Sequence, residues 1–220
     1  GKKIVLRADG TSIYVTQDIY LAKLKFDDFH PDLSVTITGS EQNHHFKVLF
    51  RILELLGFEF ASKCYHLSYG MVNLPEGKMK SREGTVVDAD DLIKQMEKLA
   101  EGEVRKRYSE LDEKEIRRRA HIIGMGALRF FILKMDPFKD MVFNPKESIS
   151  FEGETGPYMQ YTYARIQSIL RKYGKPVGLK DVDFSSFKLP EIEIIKLLES
   201  FPRAMQEATK EYKPSSIAHY

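Results

Sequence analysis

Cysteine is nearly absent from this 220-residue sequence. Cys64 stands alone, which excludes an internal disulfide and any Cys-based zinc site. A reducing, cytoplasmic setting fits such a chain. No apolar run approaches the roughly 18 residues of a membrane span. The opening GKKIVLRADG lacks the apolar stretch of a secretory leader, so neither membrane insertion nor export is expected. Neither sign of charge is in surplus: 34 Lys and Arg stand against 32 Asp and Glu, a formal net of +2. A balance this even does not announce a nucleic-acid partner by itself. Internal repeats and low-complexity tracts are missing. The histidines offer no obvious metal site either. His44 and His45 are adjacent, and neighbours on a helix point about 100° apart, away from a common ion. No protein-bound structural metal is expected.

What is present suits a folded chain with a real core, in one or two domains. Residues 12–16 (SIYVT) are β-rich, and 18–26 have helical apolar spacing. Residues 35–38 (VTIT) predict a buried strand. Residues 46–56 predict a helix stopped by Gly57, and 65–72 (YHLSYGMV) a third strand. Strand–helix–strand–helix–strand implies a parallel, nucleotide-binding kind of sheet. Residues 74–85 form a polar loop with Gly and Lys. Helices follow at 90–100, capped by Asp88 or Asp90, and at 114–134. Asp-Pro and Asn-Pro steps make 136–150 irregular. Beyond 157 the pattern is helical: 158–173, 191–201, 202–212, and a helix begun at 214–220. The fold class is therefore α/β followed by all-α, changing near residue 150. Three parallel strands make a small, half-covered sheet, so further sheet before residue 1 and further helix after residue 220 are expected.

Some residues carry recognisable chemistry. Tyr14 and Asp18 stand four apart where a strand passes into a helix, the edge at which parallel sheets bind ligands. A carboxylate there suits a guanidinium, and a tyrosine can add a hydrogen bond or a stacking face. Read without other information, Asp18 as a helix cap and Tyr14 as a core ring are the plainer reading. The loop 78–82 (KMKSR) gathers cations where a phosphate could sit, or is a solvated turn. Tyr158, Tyr161 and Arg165 share a helical face that can stack on unpaired bases or pack inward. From residue 163 to 180 the chain holds Arg165, Arg171, Lys172, Lys175 and Lys180 with no acid, a strip attractive to phosphate, although composition alone favours a solvated helix face. Arg105, Lys106, Arg107 and Arg117 to Arg119 are interleaved with Glu103, Glu110 and Glu115, so a solvated charged surface is as consistent as phosphate contact.

Four runs, in order, resemble the class I arginyl-tRNA synthetases: RADGTSIYVTQDIYLA, VTITGSEQNHHF, LSYGMV with GKMKSREGTVV, and FEGETGPYMQYTYAR. The resemblance covers nearly the whole chain. It implies that Tyr14, Asp18 and Gln42 bind L-arginine. It places His45, Tyr69, Gly70, Met71 and Val72 at ATP, together with the loop residues Lys78, Met79, Lys80, Ser81 and Arg82. The family's mobile loop usually reads Lys-Met-Ser-Lys-Ser, and its lysines stabilise the departing pyrophosphate. Here the second motif lysine is replaced by Ser81, so Lys78 and Lys80 are the expected catalytic cations. Gly84-Thr85-Val86 follows, as in degenerate family members. Tyr158, Tyr161 and Arg165 are implied tRNA contacts.

On this resemblance, residues 1–87 are the second half of a Rossmann-like catalytic domain, 88–150 a helical connector, and 151–220 the truncated start of a helical anticodon-binding domain. ATP is implied as a substrate, accompanied by Mg2+, with tRNA(Arg) and L-arginine as partners. The expected protein is a cytoplasmic monomer. The family's His-x-Gly-His motif is not present; His121-Ile-Ile-Gly124 is a superficial echo inside an apolar helix pattern. These residues alone are therefore expected to form no arginyl-adenylate. The competing reading is a non-catalytic RNA-binding module derived from a synthetase.

Overall fold

The computed structural model describes residues 4–73, 88–176 and 178–220. They divide into two compact units, Gly1–Met71 with Phe138–Asp140, and Val72–Pro137 with Met141–Tyr220.

In the first unit the chain turns back on itself before it enters a helix. Gly10 takes a φ of 81°, open to glycine at no steric cost. Asp9 accepts hydrogen bonds from the backbone and hydroxyl of Thr11. A single antiparallel bridge joins Leu6 to Ser12. Helix α1 (Tyr14–Phe29) then starts within the segment predicted as a strand. The β-branched Val15 and Thr16 disfavour a helix by only about 0.5 kcal/mol each. Val15 is 2% exposed, against Leu49, Leu53 and Ala61, and its burial contributes roughly 1.5–3 kcal/mol. Burial wins, so Tyr14 and Asp18 are one turn apart on a single helix.

Strand β1 (Ser34–Gly39) runs through a 3-10 turn (Ser40–Gln42) into helix α2 (Asn43–Leu55). The chain returns in strand β2 (Cys64–Tyr69). β1 and β2 pair in parallel, from Ser34 opposite Cys64 to Gly39 opposite Tyr69. Phe26, Phe60 and Phe58 stack in sequence beside this layer, with centroids 4.4 and 4.9 Å apart.

The third predicted strand, 65–72, divides at Gly70. A Cβ at Gly70 would lie 2.0 Å from the carbonyl oxygen of Lys139, so only glycine allows this approach. Asp140 Oδ1 accepts the next backbone N–H, that of Met71, at 2.7 Å.

The second unit holds strand β3 (Val72–Asn73), paired in parallel with β4 (Met141–Val142). Its bulk is helical: α3 (Ala89–Arg107), α4 (Glu113–Lys134), the short α5 (Pro145–Ser148), α6 (Gly156–Tyr173), α7 (Leu189–Glu211) and α8 (Pro214–His219). Asp88 and Asp112 cap α3 and α4 through backbone N–H groups of their first turns. Met96, Ala100, Ala120, Ala127, Leu128 and Phe143 form the core. The small residues on α4 let backbones meet. A Cβ at Gly124 would stand 3.0 Å from the α3 backbone, and one at Gly156 only 2.2 Å from the Gly126 carbonyl.

The two helices expected at 191–201 and 202–212 are one, with Pro202 inside α7. Proline removes the bond its N–H would make to the Leu198 carbonyl. The neighbouring Leu197 carbonyl receives the hydroxyls of Ser200 and Tyr220. A helix of 23 residues retains enough of its ladder to continue. The change from α/β to helical architecture is as the sequence implied.

Gly156→Ala is expected to lower stability by about 1–3 kcal/mol, because backbone must move. Gly102→Ala, on α3 with open space around it, is expected to raise it by about 0.5–1 kcal/mol. Urea unfolding of the two variants should shift the midpoint in opposite directions.

Candidate functional site

Parallel pairing brings the carboxyl ends of β1 and β2, Gly39 and Tyr69, to one edge. α2 starts at that edge, so the positive end of its dipole lies there. No side chain caps it. Helix α1 delivers Asp18 to this place. The Nε2–H of His45, third residue of α2, donates to Asp18 Oδ2 at 2.6 Å. Asp18 and His45 keep 35% and 25% of their side-chain surface open. Asp18 is thus not a cap on its own helix, whose N-cap Ile13 makes no side-chain bond.

The rest of the edge is braced by rings. His45 meets the Phe46 ring edge-on, with centroids 5.3 Å apart. Phe46 stacks on His66 of β2 at 4.3 Å, and His66 Nε2 shares a 2.8 Å hydrogen bond with Thr38 Oγ1 of β1. Burial holds the His66 imidazole below its ordinary value, and the charge of His45 acts in the same direction.

Tyr14 lies one turn before Asp18 and is 81% exposed, a ring presented to solvent rather than packed in the core. Gln42 is exposed just before α2. On its inner side Asp18 borders a cavity of 80 Å3 lined by Ala22, Lys25, Phe46 and Cys64 among others. That is well below the roughly 300 Å3 at which small-molecule sites begin.

Of the residues implied at ATP, Tyr69 is half exposed at the end of β2, and Gly70 is buried. The Met71 N–H is taken by Asp140. Val72 opens β3. Lys78, Met79, Lys80, Ser81 and Arg82 lie outside the described residues. His121 is exposed and bonds Glu97 of α3 through Nδ1 at 2.6 Å, a surface tie between two helices. Among the described residues no group of three or more His, Cys, Asp or Glu converges to hold a metal ion, and no helix is long and apolar enough to cross a membrane.

Within the helical unit, Thr155 caps α6, accepting from the Tyr158 N–H at 3.2 Å. Pro157 occupies the first turn, where its missing N–H costs nothing. Tyr158, Tyr161 and Arg165 are all exposed. Arg165 donates to the Tyr161 hydroxyl at 2.9 Å, its guanidinium 5.6 Å from the ring centre. Tyr158 and Tyr161 line a cavity of about 610 Å3, shared with Arg107, Tyr108 and Arg119. Arg107 lies over Phe151 and Arg119 over Tyr108. Most of the neighbouring cations are already paired. Arg105 bridges Glu101 and Glu113, Lys106 and Arg107 meet Glu103, and Arg118 and Arg119 share Glu115.

Two contacts escaped the sequence reading. The Asp18–His45 pair spans 27 residues, and the Met71–Asp140 bond spans 69. No spacing rule links such positions; only the helix at residue 14 and the βαβ crossover bring the first pair together.

The pattern described as "tRNA synthetases class I (R), catalytic domain" matches residues 1–145. The one described as "DALR anticodon binding domain" matches residues 159–220. An arginine--tRNA ligase of Parabacteroides distasonis is 50% identical over 225 residues, covering 100% of this chain and 38% of that protein. That of Flavobacterium psychrophilum is 52% identical over 227 residues, covering 100% of this chain and 37% of its own. The solved Thermus thermophilus arginyl-tRNA synthetase superposes with a TM-score of 0.85 at 27% identity, over 99% of this chain and 40% of its own. The chain thus spans less than two fifths of the length of the curated relatives it matches.

The His66 environment has a consequence for pH. A histidine whose folded value is depressed binds more protons when unfolded, so stability is full above about pH 6.5 and declines as pH falls below it. The decline should end once the folded imidazole itself protonates. NMR titration of His66 is expected to show a midpoint below the ordinary value. His66→Gln should remove that part of the pH dependence of urea unfolding.

Proposed function

The chain belongs to the class I arginine-type tRNA synthetases, and from that premise we propose that the full-length polypeptide activates L-arginine with ATP and passes the arginyl group to tRNA(Arg). The observation that carries this reading is the Asp18 carboxylate. It stands at the carboxyl edge of a parallel strand pair, with 35% of its side-chain surface open, one helical turn from the exposed ring of Tyr14.

In this reading the guanidinium of arginine lies on Asp18 as a charge-assisted pair, with Tyr14 supplying a hydroxyl or a ring face. Gln42 holds the amino-acid end. ATP, brought as its magnesium complex, places its adenine against Tyr69, Gly70, Met71 and Val72. The substrate carboxylate attacks the α-phosphorus in line. The phosphoanhydride bond breaks, pyrophosphate leaves, and arginyl-adenylate forms. Positive charge from Lys78 and Lys80 meets the negative charge that gathers on the departing group, and Met79, Ser81 and Arg82 complete that loop. A hydroxyl of the tRNA 3′-terminal ribose then attacks the activated carbonyl and releases AMP. Orientation and charge neutralisation supply most of the catalysis.

Residues 1–87 act as catalytic domain, 88–150 as connector, and 151–220 open the anticodon-binding domain. Tyr158, Tyr161 and Arg165 offer rings and a guanidinium to the tRNA. The His-x-Gly-His motif is not found among these 220 residues, so on their own they are expected to form no adenylate.

Asp18→Ala in the full-length protein is expected to reduce kcat/KM for arginine by on the order of 100-fold or more, with the circular dichroism spectrum unchanged. Full activity in a merely less stable Asp18→Ala protein would remove the arginine assignment. Lys78→Ala and Lys80→Ala should lower kcat by about 10²-fold or more for whichever cation meets the leaving group, with the arginine KM little changed. tRNA binding without arginine-dependent ATP–pyrophosphate exchange would favour the RNA-binding module instead.

A further inference from the structure

We infer that His45 is a positioning residue for arginine recognition, holding the Asp18 carboxylate in the orientation that receives the guanidinium. The inference rests on the assignment of Asp18 proposed above and gives His45 a role through that side chain rather than at ATP.

The geometry is specific. His45 Nε2 lies 2.6 Å from Asp18 Oδ2, a short, charge-assisted contact. An aspartate on an exposed helix face has two free torsions, and its carboxylate plane can swing widely. A fixed donor on one oxygen stops that swing. The ionised carboxylate has about four acceptor positions. His45 uses one of them, and a two-pronged guanidinium needs two more.

His45 can serve as a fixed donor because it is itself held. Its ring abuts Phe46, which stacks on His66, and His66 is bonded to Thr38 on β1. The chain of contacts runs from the strand pair, through α2, to the carboxylate on α1. A histidine that merely filled space would not need its far nitrogen on an acid.

The test uses the full-length protein, with arginine and ATP varied separately in aminoacylation assays. His45→Ala is expected to raise the arginine KM about 10-fold or more, with kcat and the ATP KM within about 2-fold of the parent. His45→Gln, which keeps an N–H donor at similar reach, should recover most of the lost arginine affinity. A rise in ATP KM with arginine KM unchanged would overturn the inference. So would an unchanged arginine KM in His45→Ala when Asp18→Ala abolishes arginine use. If Asp18→Ala itself leaves the arginine KM unaltered, the arginine reading fails first, and the role of His45 falls with it. Equal loss in His45→Ala and His45→Gln, with thermal midpoints lowered alike, would also overturn it, since disruption of packing would then explain the effect.

Discussion

The imidazole of His45 reaches the carboxylate of Asp18 only because two helices begin where they do. α1 starts at Tyr14, four residues ahead of the acid, and α2 starts at Asn43, two residues ahead of the histidine. Each start is set by burial elsewhere: Val15 at the head of α1, Leu49 and Leu53 along α2. The polar contact at the rim is thus positioned by an apolar one beneath it. An ion pair this open contributes little to stability. Its worth lies in where it puts a charge.

The helical unit depends on a different constraint, the approach of backbone to backbone. Gly124 admits α3, and Gly126 and Gly156 bring α4 and α6 together. Gln160 follows on α6 and donates from its amide to the Ile122 carbonyl at 3.0 Å. With no β-carbons between them, the helix axes come close, and the aromatic side chains on α6 are carried outward. Tyr158 and Tyr161 are exposed for this reason: the face of α6 that packs is the glycine and glutamine face.

Much of this was legible in the sequence, and the failures have physical causes. The long helices were visible from apolar spacing, and α3 also from its cap Asp88, whereas the cap Asp112 of α4 was not read. β1 and β2 were visible as short β-branched or aromatic runs. The helix at residue 14 was hidden because SIYVT has strand-like composition while the burial of Val15 is a tertiary fact. The break at Gly70 was hidden because it answers to Lys139, far along the chain. Pro202 suggested a helix boundary, yet only one hydrogen bond is forfeited there and hydroxyls attend the neighbouring carbonyl. Tyr14 and Asp18 stood out as residue types at a suggestive spacing, and Gln42 only through the family resemblance. The bond from Asp18 to His45 was not, because it depends on how two segments are folded together.

The ion pairs on α3 and α4 bear on how a polyanion would meet this surface. Glu115 is held down to about 2 by Arg118 and Arg119, and Glu103 is lowered by Lys106 and Arg107. Each of these cations already has an internal anion in attendance. A phosphate arriving there exchanges one partner for another instead of neutralising an idle charge, and fewer small ions are set free. Adhesion to unrelated polyanions is weak under such an arrangement. A strand able to stack on the exposed rings of Tyr158 and Tyr161 would gain more on this face than one that merely carries charge, so any discrimination would come from fit before field.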